Sequence, residues 1–95
     1  MMKKVNSSSK EIQKTVTILK VLAHPIRYSI AVTLLKNGVM NVGAIQDSLS
    51  LAQSTVSQHI SKMRQVGIVD YNREGTKIYY KLSDPTTIKM IKSLD

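Results

Sequence analysis

The hydrophobic pattern of this chain changes period at Gly67 and changes back after Leu82, and that interruption fixes the kind of fold it can adopt. Before Gly67, apolar residues recur three and four positions apart, the spacing of helices with one buried face. Beyond it stand two β-branched and aromatic blocks, Ile68-Val69-Asp70-Tyr71-Asn72-Arg73 and Lys77-Ile78-Tyr79-Tyr80-Lys81-Leu82, flanking Glu74-Gly75-Thr76. That is a hairpin. Asp84-Pro85 then supplies a cap and a first-turn proline for a last helix through Ile88, Ile91 and Leu94. The fold class is α+β, mainly helical: four helices, a hairpin, a fifth helix.

The helices before Gly67 are read from their own signals. Residues 1–8 are polar and Ser-rich and are expected to be a disordered tail. Ser8 and Glu11 match a capping box, and Ile12, Val16 and Leu19 follow at helical spacing, with Ile18 and Leu22 widening the stripe. His24-Pro25 ends this helix and starts a second, whose apolar face is Ile26, Ile30 and Leu34 and whose stop is Asn37-Gly38. Val39 and Met40 are expected to be extended. Asn41 caps a short helix over 42–49, and a tight connection at Ser50-Leu51 leads to a fourth helix over 52–66.

Ninety-five residues make one domain, here spanning 9–95. With no Trp, no Phe and four Tyr, the core must come from Leu, Ile, Val and Met, and so lean a domain gains by oligomerising. The absence of cysteine excludes disulfides, thiolate metal ligands and thiol redox switches. Neither a signal-peptide h-region nor a membrane-length apolar run is present, so a soluble, cytoplasmic protein is expected. The net charge is +8. Five lysines stand against Glu11 in residues 1–22; Lys62, Arg64, Arg73, Lys77 and Lys81 stand against Asp70 and Glu74 in 52–81. Such a balance points to a polyanion, nucleic acid above all.

The fourth helix carries the most information. Val56, Ile60 and Met63 form its inward stripe. Opposite lie Ser54, Ser57, Gln58 and Ser61, with Gln53, Thr55 and Lys62 beside them. A helix meant only for water usually carries Glu/Lys pairs, and 52–61 has none. Gln matches adenine, Ser and Thr reach bases or phosphates, and small side chains let the backbone approach the groove floor. The hairpin tip, with Arg73, Thr76 and Lys77, has the character of a wing lying on the sugar-phosphate backbone.

These segments resemble the ArsR/SmtB family of winged helix-turn-helix repressors, and within it the cysteine-free PagR-type branch. Leu22-Ala23-His24-Pro25-Ile26-Arg27 is similar to the family's entry to its second helix. Gln53-Ser54-Thr55-Val56-Ser57-Gln58-His59-Ile60 resembles its recognition helix, and Arg73 to Leu82 its wing. The resemblance implies double-stranded DNA as partner, with contacts from Gln53, Ser54, Thr55, Ser57, Gln58, His59, Ser61, Lys62, Arg73, Thr76 and Lys77. It also implies a homodimer through the first and last helices, with Ile12, Val16, Leu19, Ile88 and Ile91 as contacts. Ala52 departs from the pattern, standing where a Ser cap is common, so the first turn is expected to fray. The metal ligands of sensing relatives are missing too. His24 and His59 fall on unrelated elements, so no metal and no cofactor is expected.

The function expected is therefore a DNA-binding transcriptional regulator, a repressor at an inverted repeat. A winged-helix protein adaptor and a repressor with a small-molecule site at its dimer interface are the alternatives. With no reactive constellation, an enzyme is the least supported reading.

Overall fold

Local capping decides where each helix begins. The computed structural model describes residues 2–94, and its elements are α1 (Lys10–Leu22), α2 (Pro25–Asn37), β1 (Met40–Asn41), α3 (Val42–Leu49), α4 (Gln53–Gln65), β2 (Val69–Glu74), β3 (Lys77–Leu82) and α5 (Pro85–Leu94). His24 caps α2 by accepting from the Ile26 N–H through its ring, just ahead of Pro25. Asn41 caps α3 through the Ala44 N–H at 2.8 Å. Asp84 caps α5 by accepting from both the backbone N–H (2.9 Å) and the hydroxyl (2.6 Å) of Thr87. Both residues are buried, so this pair satisfies groups that water does not reach.

The cap of α1 lies one residue later than expected. Ser9, not Ser8, accepts from the Ile12 N–H, and Ser8 instead donates its N–H to the Asn6 side chain. Three residues beyond Ser9 stands Ile12, which cannot reciprocate, so no capping box forms. Glu11 still favours the positive end of the helix dipole.

The chain turns by 100° between α1 and α2, which sets the two helices near right angles. Ile18 and Leu22 of α1, Ile30 and Leu34 of α2, Ile45 of α3 and Val56, Ile60 and Met63 of α4 meet in one core. Each such side chain contributes roughly 1.5–3 kcal/mol when fully buried. Ile91 of α5 belongs to that core too, at 4% exposure. It was expected at the contact between protomers; α5 instead turns it inward, because Ile91 lies four residues beyond buried Thr87 on the same helix face. Ile12, Val16 and Leu19 are 36%, 38% and 44% exposed, and Ile88 is half-buried. Among the described residues no single helix is long and apolar enough to cross a membrane.

The sheet has three strands rather than two, in the order β1-β3-β2. Met40 opposes Tyr80 and Asn41 opposes Tyr79, so the extended segment before α3 pairs with the hairpin. Val39 and Met40 were expected to be extended; the strand runs one residue later, Met40–Asn41, and its partners, Tyr80 and Tyr79, lie far on in the sequence. Glu74 opposes Lys77, leaving Gly75 and Thr76 as a two-residue loop, and Gly75 takes the positive φ (62°) that such a tight turn demands.

Candidate nucleic-acid interface

α4 is built to present one face and bury the other. It opens without side-chain help: Ala52 is its cap and makes no capping bond. Before it, Ser50 adopts the left-handed conformation (φ 54°) that closes α3 and reverses the chain within three residues. At the far end Gly67, at φ 83°, lets Ile68 return its N–H to the Met63 carbonyl at 3.0 Å, with Lys62 and Arg64 in the last turn. Val56, Ile60 and Met63 are buried. Gln53, Ser54, Gln58, Ser61 and Lys62 are exposed, and Thr55 and Ser57 are half-buried on the flanks.

The hairpin stands beside this face. Arg73, Thr76 and Lys77 are all exposed, as expected of a wing tip. They do not all share one face of the ribbon, however. Arg73 opposes Ile78 in register and so shares the side of Tyr71 and Tyr80, whereas Lys77 opposes Glu74 on the other side. Thr76 and Lys77 line a cleft together with Gln53 of α4 and with Asn41 and Gly43 at the start of α3. Arg64 is held over the Tyr71 ring, 4.4 Å from its centroid, and ties the end of α4 to the root of the wing.

His59 stands apart from the other expected DNA contacts. It is half-buried and turned toward the α1–α2 junction, its ring 4.5 Å from that of His24 and its Nδ1 3.2 Å from the Arg27 guanidinium. It therefore packs within the protomer rather than with the outward row of Gln58 and Ser61. Burial, with positive charge from His24, Arg27 and Lys62 added, holds its imidazole below the usual histidine range. The two histidines, thirty-five residues apart in the sequence and linked by no local signal, are neighbours in space. Among the described residues no group of three or more His, Cys, Asp or Glu converges as a metal site would require. Arg27, absent from the expected contacts, is the residue that sequence reasoning missed; its place in the Leu22–Arg27 motif was the available signal.

Three helices leading to an exposed helix, a wing beside it and a polar, acid-free face between them define a winged helix-turn-helix. The chain belongs to the arsR family of bacterial regulatory proteins, whose description, "Bacterial regulatory protein, arsR family", matches residues 25–71. It is 44% identical over 78 residues to the transcriptional repressor PagR of Bacillus anthracis, covering 82% of this chain and 78% of that protein. It is 36% identical over 85 residues to the biofilm growth-associated repressor of Agrobacterium fabrum, covering 90% of this chain and 72% of that one. The crystal structure of PagR superposes with a TM-score of 0.84 at 40% identity, covering 90% of this chain and 97% of that chain.

Proposed function

We propose that this protein is a cytoplasmic transcriptional repressor that binds an inverted-repeat operator as a homodimer, one α4 in each of two successive major grooves. The observation that carries the reading is the exposed row of Ser54, Gln58 and Ser61 on α4, held outward by the buried Val56, Ile60 and Met63 beneath it. Gln58 offers the paired donor and acceptor that adenine matches, and Lys62 adds a cation for the flanking phosphate. Thr55 and Ser57 serve the sides of the same groove, and Thr76 and Lys77 the adjoining backbone. That PagR of Bacillus anthracis and the biofilm growth-associated protein of Agrobacterium fabrum are repressors supports the direction of regulation.

The exposed apolar row of α1, Ile12, Val16 and Leu19, with Ile88 of α5, is the surface offered to a second copy. No step of this function needs chemistry on a substrate, and the protein acts by occupancy. Selection of bound sequences from a random DNA pool tests the whole reading. An enriched, two-fold symmetric motif bound with steep salt dependence is the expected result. Failure to enrich any motif, with affinity indifferent to salt, overturns it in favour of a protein-binding role.

A further inference from the structure

Arg27 joins three elements with one side chain. Its Nε donates to the carbonyl of Val21 near the end of α1, and its Nη1 lies 3.2 Å from Nδ1 of His59 on α4, while its own backbone belongs to α2. A guanidinium can only donate, so His59 Nδ1 is the acceptor and that ring carries its proton on Nε2. The same holds one residue-pair away. His24 Nδ1 accepts from the Ile26 N–H at 3.1 Å, a bond that starts α2, and a backbone amide likewise has nothing but a proton to give.

We propose that His24, Arg27 and His59 form a proton-gated clamp that holds the recognition helix in its DNA-reading position only while both imidazoles are neutral. The proposal rests on the DNA-binding reading given above. Protonating His59 turns its acceptor into a donor facing a donor, and sets a second cation against the guanidinium. Protonating His24 removes the cap of α2 and charges a ring 4.5 Å from that of His59. The charged and titratable groups that face His59 are His24 from the α1–α2 junction, Arg27 from α2 and Lys62 from its own helix; no carboxylate is among them. Among the described residues, no group facing the ring compensates the added charge. Relief comes when the His59 ring leaves or α4 draws away from the α1–α2 junction, and either loosens the helix that carries Gln58 and Ser61.

The sign of the effect separates it from the background. Acidification adds positive charge and by itself strengthens attraction to phosphate. The clamp acts oppositely. The folded-state value of His59 lies below its ordinary 6.5. The stability it contributes is therefore complete above that pH, is lost as pH falls below it, and levels off beneath the folded-state value.

The test measures affinity for the selected duplex from pH 7.5 to 5.5 at constant ionic strength, for the wild type and for His59→Gln. The variant keeps an acceptor toward Arg27 but cannot titrate. The wild type is expected to bind more weakly at the acid end than at pH 7.5, and His59→Gln to hold or gain affinity. Wild-type affinity that stays level or rises on acidification, or a variant profile that parallels the wild type, overturns the clamp. Thermal midpoints over the same pH range give a readout without DNA: the wild type falls and His59→Gln falls less. Parallel midpoints overturn the clamp even if no duplex is ever bound, which separates its failure from that of the DNA reading. If His59→Gln does not fold, His59→Asn, which also keeps an acceptor and cannot titrate, serves in both arms.

Discussion

Gln53, the first residue of α4, and Lys77, the first residue of β3, line the same cleft, which sets the exposed start of α4 beside the second strand of the hairpin. Arg73 projects from the opposite face of the ribbon. The two wing cations are therefore not equivalent. Lys77→Ala is expected to weaken binding to all sequences and lower the salt slope by about 1 per protomer. Arg73→Ala is expected to change it less. Titrations at four or five salt concentrations decide between them; equal losses in slope would place both faces on DNA.

Sequence preference should lie with the outward glutamines. Gln58→Ala is expected to cost roughly 1–3 kcal/mol at the preferred site and to relax selectivity there, with non-specific binding nearly intact. Gln53→Ala, at an uncapped first turn, is expected to cost less. A repeat selection with each variant shows whether one base position loses its preference. Unchanged motifs in both would move base reading off α4.

The apolar row of α1 and the buried face of α5 should respond differently to charge. Val16→Glu is expected to leave the helical spectrum and cooperative melting of the protomer in place while shifting sedimentation to monomer and abolishing operator binding. Ile91→Glu puts a charge into the core beside α2 and is expected to unfold the protomer outright. A dimeric Val16→Glu protein would assign the self-contact elsewhere.

α5 depends on a cap that water cannot replace. Asp84→Ala strands the Thr87 N–H and hydroxyl in a buried place and is expected to destabilise the fold by about 1–3 kcal/mol. Asp84→Asn keeps an acceptor and should recover most of that. Chemical denaturation of the three proteins is sufficient to check it.

The features legible in the sequence were those whose cause is local. Val56, Ile60 and Met63 announce the buried stripe of α4 by spacing alone, and Asn41 and Asp84 announce helix starts because a cap reaches only two or three residues. A cap at Ser8 and one at Ser9 look alike in a run of three serines, and only the backbone geometry separates them. What stayed hidden depends on residues far apart. Two residues of β1 carry no periodicity, and their pairing with Tyr79 and Tyr80 exists only once the hairpin has formed. The meeting of His24 with His59 follows from the 100° turn between α1 and α2, which no short segment encodes. The inward turn of Ile91 likewise depends on how α5 docks, since its own pattern fits either face.

With the sheet ordered β1-β3-β2, the wing leaves β2 on the outside, one row of its backbone amides and carbonyls without a strand partner in the protomer. Such a row is a template for any other extended chain. Val69-Asp70-Tyr71-Asn72-Arg73-Glu74 answers with three charges in six residues, of both signs, which an approaching strand would have to strip of water. The charges of the wing thus guard the molecule against self-association along its edge. Neutralising Asp70, Arg73 and Glu74 together, in search of tighter or looser DNA binding, would trade that protection for a protein that precipitates at concentrations the native chain tolerates.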